Sequence, residues 1–354
     1  MNYLYFLYIE FLAKYNIPQI VGDITFYAIP CCIIFIILLL IILAFVLFER
    51  KLLGWFTQRK GPNRVGFWGV LQTIADALKL LCKENITPNG VDKFLFNLAP
   101  ILIFIPVMIA LGLIPYSSEF SFMNFQTNLL IYIIVVTLPV LSILLAGWAS
   151  NNKYSLLGAM RNVAQVLAYE LPIVFTILSI VTLASSMNLT QITLAQSSKL
   201  GVCGWFIIPC FIGFVVMFIS TLAELNRCPF DLPEAESELI CGYNTEYSGM
   251  RFALFYLSEY GLLFANALLI SILFLGGFLS PFGKYITSGP WLYFEQVFWL
   301  FLKSFLIIFV TIWIRATLPR MASFDLLKFS WTVLLPISIL NLFLMVTVKY
   351  IGGV

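Results

Sequence analysis

Long apolar runs, separated by short polar segments, dominate the pattern of the chain. A helix needs ~20 mostly apolar residues to cross a hydrocarbon layer about 30 Å thick. Eight runs are candidates, at about 27–48, 95–115, 129–149, 156–183, 203–223, 252–275, 293–314 and 331–348. Runs of this length favour helices over the short alternating strands of a membrane barrel. We therefore predict an all-α polytopic membrane protein with about eight transmembrane helices, in a single integral membrane domain over residues 1–354.

The segment between the first two runs, residues 66–84, is too polar to cross a membrane but has a helical pattern. Its apolar and charged side chains recur on opposite faces: Trp68, Leu71, Ala75, Leu78 and Cys82 against Asp76, Lys79 and Lys83. This pattern is typical of an amphipathic helix that lies at the membrane interface or packs on a partner subunit.

The cations are unevenly distributed between the two predicted sides of the membrane. The loops after runs 1, 3, 5 and 7 contain 14 Lys and Arg, whereas the other loops and the termini contain four. By the positive-inside rule we expect the loops after the odd-numbered runs to face the cytoplasm or the mitochondrial matrix, with both termini on the opposite side. The net charge of the whole chain is only +3, which argues against a nucleic-acid partner.

Composition excludes several classes of protein and site. With 10% charged residues, against ~25% in a soluble domain, the chain cannot be a water-soluble monomer. It has no histidine, which excludes a bis-histidine haem, a histidine-bound metal and a histidine general base. Its seven cysteines form no C-x-x-C pair, and no nucleotide-binding glycine motif occurs. We therefore predict no metal and no covalently bound cofactor, and we expect any redox cofactor on a partner.

The most acidic segment, a loop at residues 224–250, lies on the otherwise basic side of the chain. Its acids are Glu224, Asp231, Glu234, Glu236, Glu238 and Glu246. Arg227 is a cation in the same segment. Glu170, Glu259 and Glu295 are further acids within or beside apolar runs. Insertion of a charged side chain at the centre of a membrane helix costs at least ~2.5–3.5 kcal/mol. Clustered carboxylates in a low dielectric cannot all ionise, so we interpret them as a proton path. Arg161, Gln165 and Lys303 are candidate polar partners; a solvated acidic loop is the alternative.

A basic segment follows the first run. Residues 49–66 carry five cations: Arg50, Lys51, Arg59, Lys60 and Arg64. Such a segment is typical of an interfacial anchor whose basic side chains extend toward water. Alternatively, it forms a polar mouth where the head group of a lipid-soluble molecule meets an adjoining protein, with Trp55 and Phe56 lining it.

Two long segments, ERKLLGWFTQRKGPNRVG (49–66) and AELNRCPFDLPEAESELICGYNTEYSGMRFALFYLSEY (223–260), closely resemble the quinone-site membrane subunit (subunit 1) of respiratory complex I, NADH:ubiquinone oxidoreductase. The resemblance continues through 75–84, 147–172 and 313–320 and covers nearly the whole chain. It implies a subunit of a proton-pumping enzyme, with ubiquinone as substrate and no complete redox centre in this chain. It implies FMN and iron–sulfur clusters on hydrophilic-arm partner subunits only. Small membrane subunits, antiporter-like subunits and lipids would be its other neighbours.

The resemblance also implies roles for individual residues. The expected quinone-binding residues are Glu49, Arg50, Arg59, Lys60, Phe252, Tyr256 and Arg315. The expected proton-coupling residues are Asp76, Glu170, Glu224, Asp231, Glu234, Glu238, Glu246 and Glu259. Arg227 and Arg251 are expected to hold the acidic loop through ion pairs with these acids. The segment PRMASFDLLK (319–328) departs from the family pattern around Asp325, and Arg320 is expected to face the tunnel or the hydrophilic arm.

Two other functions fit the same acids. A stand-alone cation/proton antiporter would need no hydrophilic partner, and the homologous subunit of a membrane-bound hydrogenase would have similar acids without a quinone tunnel. Residues 1–19 lack the features of a signal or transit peptide, and the chain is rich in Phe, Ile and Leu. We expect a mitochondrial inner-membrane protein with its termini on the intermembrane-space side; the bacterial plasma membrane is the alternative.

Overall fold

The computed structural model describes residues 19–197, 201–233, 236–283 and 291–352. Its helices are α1 (Gln19–Phe56), α2 (Gln72–Cys82), α3 (Lys93–Leu113), α4 (Asn128–Ala149), α5 (Lys153–Ala184), α6 (Leu189–Ala195), α7 (Phe211–Glu224), α8 (Glu236–Leu239), α9 (Gly249–Phe274), α10 (Trp291–Thr317), α11 (Ser323–Phe329) and α12 (Leu335–Gly352). A π-helical turn, Ser330–Leu334, joins the last two into one continuous helix. Within these ranges β-structure is limited to an isolated bridge between Pro115 and Ser121.

The described helices confirm the prediction of an all-α polytopic membrane protein. Six of them are long and apolar enough to cross a membrane: α3, α4, α5, α9, α10 and the continuous helix Ser323–Ile351. The predicted first span lies inside α1, which is 38 residues long. The predicted span 203–223 is wrong in its first half, because residues 205–210 form turns and α7 has only 14 residues. At 1.5 Å per residue α7 is ~21 Å long, which is less than the thickness of the hydrocarbon layer.

The amphipathic helix predicted at 66–84 is present as α2, although it begins at Gln72. The residues before it form a tight 3₁₀ turn in which Trp68 has a left-handed φ of 55°. Helix α2 packs on α1 and α9. Its apolar residues Ile74, Leu78 and Leu81 point away from the rest of the chain, while Asp76 lies on its inner side. An apolar outer face fits lipid or an apolar partner better than water.

Helix α9 lies at the centre of the fold. It packs on α1, α2, α3, α6, α7 and α10. In its most apolar stretch of 18 residues, 83% of the residues are buried. The crossing with α3 depends on Gly261, because a Cβ there would lie 2.4 Å from Cγ1 of Val107. This close approach places the polar residues of α9, among them Glu259 and Asn266, in the interior of the bundle.

The loops gather at two ends of the bundle. At one end, which we call the basic end, the loops after α1, α4, α7 and α10 meet. Backbone N–H groups join these loops: Asp92 donates to the carbonyl of Ala149, Ile86 to the hydroxyl of Ser248, and Met321 to the carbonyl of Pro229. At the other end the N–H of Ser118 donates to the side chain of Gln296. The alternation of loops therefore agrees with the charge asymmetry of the sequence.

Candidate functional site

Four charged side chains from four parts of the chain meet near the basic end. We call Glu49 (α1), Arg227 (the loop after α7), Glu259 (α9) and Arg315 (α10) the charge cluster. Nη1 of Arg227 lies 2.5 Å from Oε2 of Glu49, and its Nε lies 3.5 Å from Oε1 of Glu259. Arg315 pairs with the other oxygen of Glu49. The side chains of Glu49 and Arg227 are each only 2% exposed.

The charge cluster is neutral as a whole when all its members are ionised. Buried charges are tolerated when they are paired with good geometry, and here two guanidinium groups balance two carboxylates. Burial alone would lower the pKa of Arg227, but the carboxylates of Glu49 and Glu259 raise it above its ordinary value. The Arg227 guanidinium also lies 4.6 Å from the centroid of the Tyr260 ring. Arg227 therefore stays charged at every physiological pH.

The loop that carries Arg227 is held by neighbouring helices. Its turn begins at Asn226, whose φ of 52° is left-handed, a conformation that Asn tolerates better than most residues. The side-chain amide of Gln165 on α5 donates to the carbonyls of Ala223 and Phe230, at 2.7 and 2.8 Å. The carbonyl groups at the end of a helix have no partner within that helix. Gln165 supplies a donor to one such carbonyl, that of Ala223, and to one carbonyl of the loop, that of Phe230.

Nearer the start of α5, Gly158 lets the next part of the loop approach the helix. A Cβ on Gly158 would lie 2.8 Å from the Cα of Gly242 and 3.0 Å from the carbonyl oxygen of Pro233. The helix and the loop are therefore in backbone contact. This contact brings residues 242–244 against the same helix that carries Gln165.

A cleft of about 320 Å³ opens between α1, α2 and α9. Its walls are mainly apolar, with Phe252 and Tyr256 on the α9 side and Leu43 and Val46 on the α1 side. Its charged lining residues are Arg50, Asp76 and Lys79. A largely apolar cleft with a few polar groups is typical of a site for a small apolar ligand with a polar head.

Arg50 and Asp76 tie α1 to α2 beside this cleft. Nη1 of Arg50 lies 2.5 Å from Oδ2 of Asp76, and Gln72 donates to the other carboxylate oxygen at 3.2 Å. Burial alone would raise the pKa of Asp76, but the hydrogen bond and charge of Arg50 hold it below its ordinary value. Asp76 is therefore ionised near neutral pH.

The cleft and the charge cluster are connected through aromatic rings. The rings of Phe252 and Tyr256 stack with centroids 6.0 Å apart, and the Tyr256 ring is 5.3 Å from that of Tyr260. Tyr260 in turn lies beneath Arg227. These rings therefore run from the wall of the cleft to the charge cluster.

A row of acids leads from the charge cluster into the bundle. Glu259 and Glu224 both line a cavity of about 40 Å³. Glu224 also lines a second cavity, of about 20 Å³, whose other acid is Glu170. The amide of Asn266 donates to Oε2 of Glu224 at 3.1 Å and accepts from the hydroxyl of Tyr132 at 3.0 Å. Glu224 therefore lines both of two small cavities, and each cavity also contains a second acid.

Three further predicted acids, Asp231, Glu238 and Glu246, lie at the basic end, outside this row. Exposed Glu238 pairs with Arg161 at 2.6 Å, and Asp231 pairs with Arg320 at 3.0 Å. Glu246 accepts a hydrogen bond of 2.7 Å from the amide of Asn152. Glu234 falls outside the described residues.

The structure places several predicted basic residues differently from the sequence expectation. Arg59 and Lys60 are exposed, and Arg59 donates to the hydroxyl of Thr57. Arg251 forms no ion pair within the described ranges; its guanidinium lies 5.4 Å from the Phe96 ring. Arg227 does pair with Glu259, as expected, and also with Glu49. Asp325 is exposed at the first turn of α11.

The interpretation of Lys303 as a partner for buried acids is wrong. Its ammonium group donates to three carbonyls at the end of α9, those of Leu275, Gly277 and Leu279, at 2.7–2.8 Å. These carbonyls are left free where the helix ends, and a cation is favourable at that position. Lys303 therefore acts as a cap for α9 at the end opposite the charge cluster.

Sequence reasoning missed the neutral members of the site. Asn162, Tyr260 and Asn266 are buried and contact the acids or their cavities. In the sequence, Asn162 and Asn266 stand out only as single amide side chains within apolar runs. An average of hydropathy over such a run does not reveal them. Within the residues that the structure describes, no group of three or more His, Cys, Asp or Glu could hold a metal ion.

The chain is similar to known proteins over most of its length. A family model described as NADH dehydrogenase matches residues 29–346. The chain is 47% identical over 328 residues to an NADH-quinone oxidoreductase subunit from Brevibacillus brevis, an alignment that covers 90% of this chain and 94% of that protein. It is 46% identical over 308 residues to the protein of the same name from Bacillus cytotoxicus, and 47% over 305 residues to that from Bacillus thuringiensis. Each of these two alignments covers 86% of this chain and 88% of the relative.

Proposed function

The chain belongs to the NADH dehydrogenase family, and we propose that, as a membrane subunit of a proton-pumping NADH:quinone oxidoreductase, it forms much of the quinone-access tunnel and the first part of a carboxylate proton path. One observation carries the proposal. The apolar cleft and the row of acids approach the same buried charge cluster from two sides. A substrate that gains electrons and protons in the cleft would therefore act on the charges that begin the row.

The cleft supplies the binding side of this function. Its apolar walls suit the ring and tail of a ubiquinone, and the Tyr256 hydroxyl and the Arg50 guanidinium can meet the polar head. FMN and iron–sulfur clusters on hydrophilic-arm subunits would supply the two electrons that convert a quinone, with two protons, into a quinol. This chain's own residues bind and orient the quinone and hold the protons.

The charge cluster supplies the coupling. A unit charge 4 Å from another is worth ~4 kcal/mol at an effective dielectric of 20. The cluster is balanced, so added negative charge or a proton withdrawn by the quinone disturbs the balance directly. Glu259 responds first, because it belongs to both the cluster and the cavity that leads to Glu224. Glu224 and Glu170 then carry the proton onward into the bundle.

The surfaces of the chain support the expected partners. Hydrophilic-arm subunits would cover the basic end, where Glu238, Arg161 and Arg320 are solvent-accessible. Small membrane subunits, antiporter-like subunits and lipids would cover the apolar outer faces of the helices. The composition of the chain supports the mitochondrial inner membrane, and the similar proteins named above are bacterial, for which the plasma membrane is the equivalent location.

The experiment is to replace Glu224 by Gln in the assembled complex. The change keeps the side-chain shape and the contact with Asn266 but removes the proton site. We expect NADH:quinone turnover coupled to proton pumping to fall at least tenfold, while NADH oxidation by a water-soluble acceptor that bypasses the quinone stays unchanged. Exposed Glu119, at the opposite end of the bundle, provides the control: Glu119→Gln should change neither rate.

The same measurements separate the other functions. Normal pumping at the normal ratio of protons to electrons in the Glu224→Gln complex would overturn the proton path. Cation/proton exchange by the purified chain alone would support the antiporter. Failure of a quinone analogue to protect the cleft from labelling at Tyr256→Cys would support a subunit of the hydrogenase type.

A further inference from the structure

A small cavity lies between Glu259 and Glu224, and one of its walls is a buried side chain that has no partner among the described residues. We propose that Asn162 holds ordered water in this cavity and so joins the two acids into one proton-conducting pair. The inference rests on the proposed function and names a positioning residue for it. Asn162 does not exchange protons; it acts through the water that it orients.

The cavity has both the volume and the polarity that a bound water needs. Its volume of about 40 Å³ exceeds the ~10–15 Å³ that one water requires. A buried water also needs two to four polar partners. The lining residues with polar side chains are Asn162, Glu224, Asn226, Tyr243, Ser258 and Glu259. The rest of its wall is largely apolar, with Ile103, Val136 and Ile143 among the lining residues.

The unsatisfied atoms point to the same site. Asn162 is 0% exposed, and neither its Nδ2 nor its Oδ1 has a hydrogen-bond partner within the described ranges. The Oδ1 of Asn226, on the wall of the same cavity, is also buried without a partner in this part of the chain. A buried amide with both ends unsatisfied is strongly unfavourable, whereas a bound water would satisfy it. Buried Gln165, one turn further along α5, differs because its amide nitrogen donates to two backbone carbonyls, and only its Oε1 has no partner among the described residues.

An amide is well suited to orienting water between two acids. One amide N–H donates to a lone pair of the water oxygen, which leaves the other lone pair to accept the O–H of a protonated acid and a water hydrogen to donate to the ionised acid. A proton on Glu259 can then pass to the water as one of the water's own protons passes to Glu224. One O–H bond breaks on Glu259 and one forms on Glu224, and the negative charge moves the opposite way. The water and Asn162 are unchanged at the end.

The test uses substitutions at Asn162 in the assembled complex. Asn162→Leu has a similar volume but no polar atom, so we expect NADH:quinone turnover with pumping to fall about tenfold and its solvent deuterium isotope effect to rise. Asn162→Ser keeps a hydroxyl and leaves room for water, and should restore most of the turnover. Thr176→Val is the control, because Thr176 is equally buried on α5 but its hydroxyl donates to the carbonyl of Ile173.

A density map of the unmodified complex provides a readout independent of activity. We expect a peak within hydrogen-bonding distance of the Asn162 amide and of at least one of the two acids. An empty cavity, or unchanged turnover and isotope effect in Asn162→Leu, would overturn the inference. A requirement of turnover for sodium at constant ionic strength would assign the cavity to a cation instead.

The outcomes also separate this inference from the proposed function. If Glu224→Gln lowers pumping while Asn162→Leu does not, only the role of Asn162 fails. If Glu224→Gln pumps normally, the proton path itself fails. If Asn162→Leu prevents assembly, the density map and the Asn162→Ser variant still decide the question.

Discussion

The side chain of Arg227 shows how the charges of this protein depend on one another. It is buried among Glu49, Glu259 and the ring of Tyr260, and it cannot lose its proton. Removing a single carboxylate would leave an unbalanced positive charge in the interior, which typically costs ~3–5 kcal/mol. The two carboxylates and the two guanidinium groups of the cluster therefore depend on one another for charge balance.

The ion pair between Arg50 and Asp76 allows a prediction about pH. The pKa of Asp76 is lowered from 3.8, so the folded and unfolded values both lie well below neutral pH. A depressed carboxylate pKa contributes stability that is present above the unfolded pKa and is lost only as the pH falls through the folded pKa. Asp76→Asn should therefore lower the melting temperature of the complex by the same amount at pH 6 and pH 8.

The size of that effect should be small, since the side chain of Arg50 is 43% exposed. We expect ~1 kcal/mol or less for such a partly exposed pair. In an Arg50→Gln background, Asp76→Asn should have almost no further effect on the melting temperature, because its main partner is already gone. A loss of stability that grows between pH 6 and pH 8 would mean that Asp76 titrates in that range.

Residue identity in the site could be predicted only in part. Charged residues stand out in an apolar sequence, so Glu170, Glu224 and Glu259 could be predicted as a group. Their order could not, because it depends on which helices share a cavity. Lys303 was misassigned for a related reason: the sequence does not show that it lies opposite the acids, beside the free carbonyls at the end of α9.

At the scale of elements, α5 and the acidic loop act as one unit. Gly158 permits backbone contact with Gly242, and Gln165 donates to carbonyls on either side of Arg227. The position of Arg227 in the charge cluster is therefore set by a helix that does not itself reach the cluster. Movement of the loop relative to α5 would change the ion pairs of Arg227 and, with them, the charge next to Glu259.

This coupling predicts the effect of Gly158→Ala. The added methyl group would lie 2.8 Å from the Cα of Gly242 and 3.0 Å from the carbonyl oxygen of Pro233, so the loop backbone must shift. Overpacking of this kind typically costs ~1–3 kcal/mol. We expect a lower melting temperature of the complex and reduced quinone turnover.

A second glycine in a membrane helix serves as the control for Gly158→Ala. A Cβ on Gly112 of α3 would meet only the flexible end of Met123, at 3.9 Å, so Gly112→Ala should leave stability and turnover unchanged. Equal effects of the two substitutions would show that the contact between α5 and the loop does not position the charges.

Hydropathy predicted most of the elements but failed where apolar residues form turns. The run 203–223 is apolar throughout, yet its first part forms turns, and the backbone N–H of Ile207 bonds to the carbonyl of Phe274. An apolar composition predicts that a segment is buried, but it does not predict the secondary structure of that segment. A turn packed against α9 can therefore be as apolar as a helix. Conversely, the 3.6-residue pattern of the segment 66–84 was informative, because only a helix produces it.

At the scale of the whole molecule, the two ends of the bundle differ in chemistry. The acidic loop, the charge cluster and most of the loop cations lie at the basic end, while the other end is closed by caps such as Lys303 and Lys349. The cleft opens on the side of the bundle near the basic end. The cleft and the charge cluster therefore lie toward the same end of the bundle.

This asymmetry predicts the orientation of the chain in the membrane. Because cation-rich loops stay on the cytoplasmic or matrix side, Glu119 should face outward and Lys153 inward. Both residues are exposed and belong to opposite ends of the bundle. In sealed vesicles of native orientation, a membrane-impermeant maleimide should label Glu119→Cys and spare Lys153→Cys until the vesicles are opened with detergent. Labelling of Lys153→Cys alone in sealed vesicles would contradict this orientation and would place the basic end on the outer side of the membrane.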